Sequence, residues 1–431
     1  MRDIPHNVKD SATKHRSHAP GSKYPMAQVA ETHRALSATE AASTPSALIE
    51  GFRGLAAALV LYTHYWGFSE GAWALLQFAH TGVDLFFVLS GYVFGAYIAG
   101  KPLHWGGFWL RRFFRIYPLY LLALGLYAIQ KWMQGQPLLY LFEHLSFTYL
   151  QTKAMAFYYN PPFWSLPSEV AFYAVLPPLA WLMLRLQQGR WGRSDGLDCG
   201  PWLVGFGLVL LMAISARAYL GYAANYNTEN SAYLYLHHLP GVAVEFLLGA
   251  SVWVLTQGQT LAWLKGRKIA ALLLSGAVIA WLTLAAHFAE LGDAGIRLSL
   301  LNGQIGALAA CCYAVMLWGC LLWLKSSPHH PSDQDESCRN YKLRQGLRRL
   351  AQFSGKLSYG IYLFHMAALW AVTQWLSTQG LSNHQWLGPW LSAPWLALAL
   401  TLAMAWICHL AWEEPWRRLG RMLAARLENQ S

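Results

Sequence analysis

Ten apolar runs, each about as long as a bilayer crossing, leave this chain of 431 residues few folds to choose from. A hydrocarbon core of about 30 Å takes roughly 17 to 25 mainly apolar residues as helix. Inside it, backbone polar groups are satisfied only within helices or closed barrels. The runs lie at 52–68, 80–99, 113–131, 164–184, 201–220, 240–256, 269–287, 303–324, 357–377 and 391–411. They predict an all-α fold, a polytopic integral membrane bundle of ten transmembrane helices. Only 12% of the residues are charged and 22 are tryptophan, which excludes an ordinary soluble enzyme, a disordered chain and a collagen.

A net charge of +11 would suit nucleic acid if it lay on one polar face, but the basic residues sit between the apolar runs. They report membrane orientation, and no nucleic-acid partner is expected. Suppose the N-terminal tail is cytoplasmic and each run crosses once. The 32 Lys and Arg then fall on the cytoplasmic side, except Lys131, Lys153 and Arg297 outside and Arg217 within a run. That bias follows the positive-inside rule, and an even number of crossings puts both termini in the cytoplasm.

Residues 1–46 are polar and lack the apolar core of a cleavable signal, so they read as a disordered cytoplasmic tail. The membrane domain takes 47–420, and 421–431 form a cytoplasmic C-terminal tail. Residues 138–150 are apolar but too short to cross and carry Glu143 and His144, which suits an interfacial helix or a re-entrant segment. The six cysteines form no CxxC pair and no metal-like spacing with histidine, so neither a disulfide framework nor a metal is expected. No inverted repeat of the transporter type is visible.

Ionisable side chains within the runs carry the functional argument, because each needs a partner, a water-filled cavity or a function. Arg53 and His64 are eleven positions apart, close to three helical turns and a rise of about 16 Å. They share one face at different depths, although an interfacial Arg and a packed His would look the same. Asp84 opens the second run near its outer end, where it either caps the helix or serves the site. Arg111, Arg112 and Arg115 precede the third run; they suit both positive-inside anchoring and a polyphosphate ligand. Glu169 and Glu245 lie near the outer ends of their runs, and His365 lies near the middle of the ninth. Glu413, Glu414, Arg417 and Arg418 close the tenth run, where mutual salt bridges are the simple account. By depth these residues form a cationic inner floor, Arg53, Arg111, Arg112, Arg115 and Glu413, beneath an outer layer of His64, Asp84, Glu169 and Glu245.

The order of segments resembles the membrane acyltransferase family 3, whose members O-acylate bacterial surface sugars. The resemblance covers about residues 48–420 and rests on IEGFRGLAAALVLYTHY, GVDLFFVLSGYVF, RRFFRIYPLYLLAL, FWSLPSEVAFYAVLPPL, VEFLLGA, LSYGIYLFH and WEEPWRR, in that order. It implies an O-acetyltransferase of the bacterial inner membrane with acetyl-coenzyme A as co-substrate and a surface polysaccharide or lipid-linked sugar as acceptor. Arg53 and His64 match the family's active Arg and His, and Arg111, Arg112 and Arg115 its donor-binding arginines. Glu169 matches the Glu of the family's WSL motif, although Pro167 departs from the pattern there. With these go Asp84 as a further catalytic carboxylate, and Glu245 and His365 as acceptor-binding residues. Family members often end in an extracellular esterase-like domain; here direct transfer to the final acceptor is expected. The other class open to such a chain is a transporter or flippase of a glycan, in which the same charges relay protons or hold a moving substrate.

Overall fold

A computed structural model describes residues 45–67, 77–190, 199–226, 232–257, 266–297, 303–326, 338–380 and 393–430. The predicted tail at 1–46 lies outside them, apart from its last two positions. The described part of every apolar run falls in a helix of its own. These are α1 (Pro45–Trp66), α2 (Gly82–Ile98), α3 (Trp105–Met133), α4 (Ser165–Arg190) and α5 (Cys199–Tyr226). They continue with α6 (Leu239–Gln257), α7 (Arg267–Arg297), α8 (Ile305–Lys325), α9 (Cys338–Thr378) and α10 (Ala393–Cys408), and no strand occurs among the described residues. An eleventh helix, α11 (Glu414–Glu428), continues α10 through a π-helical turn at His409–Glu413 and carries helix into the stretch expected as a C-terminal tail.

Among the described residues, eight helices are long and apolar enough to cross a bilayer, and α9 is not one of them. In α9, His365, Gln374 and tyrosines 359 and 362 dilute the run.

α2 and α6 make the closest pair. A methyl on Gly91 would overlap the backbone carbonyl of Phe246, and one on Gly249 that of Val88. Helices in lipid gain little from hiding apolar surface, so small residues that let backbones touch are what hold them. α9 is fixed differently, by tyrosine hydroxyls. Tyr127 of α3 donates to the Leu363 carbonyl at 2.9 Å, and Tyr65 of α1 to the His365 carbonyl at 2.7 Å. In return Tyr359 of α9 donates to the Ile116 carbonyl of α3 at 3.0 Å. Buried phenol groups need such partners, and these bonds set the rotation of α9 about its own axis.

Between α3 and α4 the chain forms a five-residue helix, Leu141–Leu145, whose Phe142 is 75% exposed. Leu138, Leu139 and Leu145 are exposed beside it while His144 is buried. An apolar outer face over a polar underside is what an interfacial segment presents to lipid headgroups.

Candidate active site

Val83, Phe86, Phe87 and Ser90 recur along α2 at the spacing of one helix face, and together they form one wall of a cleft. Arg53 of α1, Arg115 of α3, Glu169 and Tyr173 of α4 and Tyr362 of α9 close it, around about 670 Å³ of space that includes its open mouth. Pro167 sits in the first turn of α4, where a missing N–H leaves no hydrogen bond unmade. The helix therefore runs unbroken from Ser165, and Glu169 faces the cleft.

Two guanidinium groups share this space. Arg53 is held by Glu50 one turn earlier at 2.7 Å and lies within electrostatic range of Arg115 and Arg112. Arg112 does not line the cleft. Its guanidinium carbon lies 5.0 Å from the ring centre of Phe94, 5.9 Å from that of Phe108 and 5.6 Å from that of Tyr173. Arg111 points away and pairs with Glu428 of α11 at 2.5 Å, each side chain about a third exposed. Of the four arginines expected to bind the donor, two face the cleft, one stands behind its wall and one is at the periphery.

The predicted histidines meet. The His64 and His365 rings are 5.0 Å apart between centroids. His64 Nδ1 lies 2.7 Å from the Val60 carbonyl, and His365 Nδ1 lies 2.9 Å from that of Tyr362. His365 is fully buried, and its Nε2 has no hydrogen-bond partner among the described residues. Neither ring is among the cleft-lining groups, but Tyr362, which is, has its ring centre 6.3 Å from that of His365. His365 therefore stands one ring behind the cleft, with His64 next to it.

Asp84 and Glu245 are placed elsewhere. Both are buried against Arg217 of α5, which donates to Glu245 at 3.0 Å and to the carbonyls of Gly241 and Gly303 at 2.5 Å. Asp84 contacts both Glu245 and Arg217, and a methyl on Gly306 would collide with it. These two carboxylates tie α2, α5, α6 and α8 together, and neither lines the cleft. The two-layer arrangement expected from depth alone is thus redrawn. Glu169 shares the arginine cleft, while Asp84 and Glu245 form a separate cluster with the one arginine that the positive-inside count left within a run.

At the C-terminal end of α10 the simple account holds. Glu413 pairs with His409 at 2.9 Å and Arg417 at 3.4 Å, and Glu414 pairs with Arg418 at 3.1 Å and Arg421 at 2.8 Å. No group of three His, Cys, Asp or Glu side chains able to hold a metal occurs among the described residues. Sequence reasoning missed Tyr173 and Tyr362 as cleft residues. The available signal was their spacing, four positions after Glu169 and three before His365.

An all-helical bundle enclosing a cleft with two arginines and a glutamate, backed by buried histidines, defines a polytopic membrane protein with an internal polar site. The Acyltransferase domain family matches residues 47–412, and the chain belongs to that membrane acyltransferase family. It is 25% identical over 406 residues to nodulation protein 10 of Rhizobium leguminosarum bv. viciae, covering 87% of this chain and 94% of that relative. It is also 42% identical over 89 residues to protein 2 in the picA locus of Rhizobium radiobacter. That second match spans 19% of this chain and 43% of the relative. No solved structure matches. Family membership decides between the two classes the sequence left open in favour of an acyltransferase.

Proposed function

We propose that the protein transfers an acyl group, acetyl in the first instance, from cytoplasmic acyl-coenzyme A to a hydroxyl of a cell-surface or exported carbohydrate, in the bacterial inner membrane. The observation that carries this reading is the convergence of Arg53 and Arg115 on one cleft with Glu169, with His365 one ring beyond it and His64 beside His365. Guanidinium groups bind phosphate oxygens through several donors at once, so the donor's phosphates lie against Arg53 and Arg115 and its thioester reaches inward.

In the transfer, His64 removes the proton of the acceptor hydroxyl, the oxygen attacks the thioester carbonyl and the C–S bond breaks as the new C–O bond forms. The proton passes from His64 to the departing thiolate, so coenzyme A leaves as the thiol and the imidazole is regenerated. Glu169 orients the acceptor or the donor arm within the cleft.

His64→Ala tests this reading. The expected result is loss of acyl transfer, followed as thiol release from acetyl-coenzyme A and as ester content of the envelope carbohydrate, with the protein at its normal level in the membrane. Near-normal transfer by that variant overturns the reading.

A further inference from the structure

Glu169 and Tyr173 are one helical turn apart on the same face of α4, and the Tyr173 hydroxyl donates a hydrogen bond to Glu169 Oε1. The tyrosine ring has little freedom to move. It is 3% exposed, its centre lies 5.5 Å from that of Phe94 and 6.1 Å from that of Phe108, and both make edge contacts with it. The Arg112 guanidinium covers another side at 5.6 Å and interacts electrostatically with both Tyr173 and Glu169. A carboxylate on a flexible stem in a cleft has several rotamers. One fixed donor on one of its oxygens selects among them.

We propose that Tyr173 is a positioning residue for Glu169, holding one carboxylate oxygen so that the other is presented to the cleft, with Arg112 supporting the tyrosine from behind. This rests on the proposed acyl transfer and deepens it. Arg112 acts on the reaction through Tyr173, which gives a buried arginine off the cleft a part in the chemistry without contact with the donor's phosphates. Positional precision of this kind governs rate more than binding, because a reacting group displaced slightly loses its productive geometry.

The test compares Tyr173→Phe and Glu169→Gln in membranes containing the full chain, with acetyl-coenzyme A and envelope carbohydrate, following thiol release. Phenylalanine keeps the ring against Phe94, Phe108 and Arg112 and removes the hydroxyl that donates to Glu169 and is also hydrogen-bonded to Arg112. The expected result for Tyr173→Phe is kcat lower by about tenfold, the scale of a hydrogen bond to a charged group, with the KM for acetyl-coenzyme A within about twofold of native. A native kcat, a loss confined to donor KM, or a chain missing from the membrane would each overturn the assignment, the last by making Tyr173 a packing residue. If Glu169→Gln slows transfer and Tyr173→Phe does not, the positioning role alone fails. If both run at the native rate, the part given to Glu169 in the proposed reaction fails with it.

Discussion

His64 of α1 and His365 of α9 hold their imidazoles 5.0 Å apart, and in both rings Nδ1 is occupied by backbone carbonyls of the same helix. A carbonyl oxygen only accepts, so each Nδ1 carries the proton and each Nε2 is the basic atom. Two such acceptors have no hydrogen bond to offer one another. A hydroxyl arriving there has one for His365 Nε2, which no described residue occupies.

It follows that His365 matters for transfer even though His64 takes the proton. His365→Ala should lower kcat by about tenfold or more, the order expected when a buried acceptor and its substrate bond are lost, while donor affinity stays within about twofold. Steady-state rates at varied acetyl-coenzyme A concentration measure both quantities. A native kcat would reduce His365 to a packed core histidine.

The arginines separate by position. Arg115→Ala should raise the KM for acetyl-coenzyme A by about tenfold, since a charge-assisted bond to phosphate in a protected cleft is strong. Arg111→Ala should change it by less than about twofold, because an ion pair as exposed as that with Glu428 contributes little. Equilibrium binding of acetyl-coenzyme A to the purified protein distinguishes the two variants, and equal losses would put Arg111 in the donor site after all.

The helices were legible because a run of some twenty apolar residues has few alternatives to crossing a bilayer. Depth was partly legible too, since it follows from counting residues along a helix. Azimuth was not. Val83, Phe86, Phe87 and Ser90 line the cleft, yet Asp84, one position away from Val83, is turned about 100° and meets Arg217 instead. Only the neighbouring helices decide which face of α2 is cleft and which is ion cluster. The same applies to Arg111, Arg112 and Arg115, which are indistinguishable as a basic string and occupy three different environments once α4 and α11 are packed on α3.

The buried cluster on α5 makes a stability prediction. Replacing Arg217 with Met leaves Asp84 and Glu245 facing each other without their guanidinium. Breaking a buried pair from one side costs about 3 to 5 kcal/mol. The variant should show a clearly lower thermal unfolding midpoint in detergent, and adding Asp84→Asn should recover part of the loss by removing the stranded charge. An unchanged midpoint for Arg217→Met would show that the cluster does not hold α2, α5, α6 and α8 together.

Outside the spans, His144 gives stability a dependence on pH. Its ring is buried, stacked on Tyr149 at 4.0 Å, and its Nδ1 lies 2.9 Å from the Tyr140 carbonyl. Burial lowers its proton affinity below the usual histidine value of 6.5, against the weaker opposing pulls of the Tyr140 carbonyl and of Glu143. The unfolded chain therefore takes up a proton more readily than the folded one at acid pH. Stability from this group is complete above about pH 6.5 and is lost as pH falls from there toward the depressed folded value. His144→Gln, which cannot titrate, should flatten that acid-side fall, so that the unfolding midpoints of variant and native protein converge between pH 7.5 and pH 5. A parallel decline in both proteins would assign the acid sensitivity to other groups.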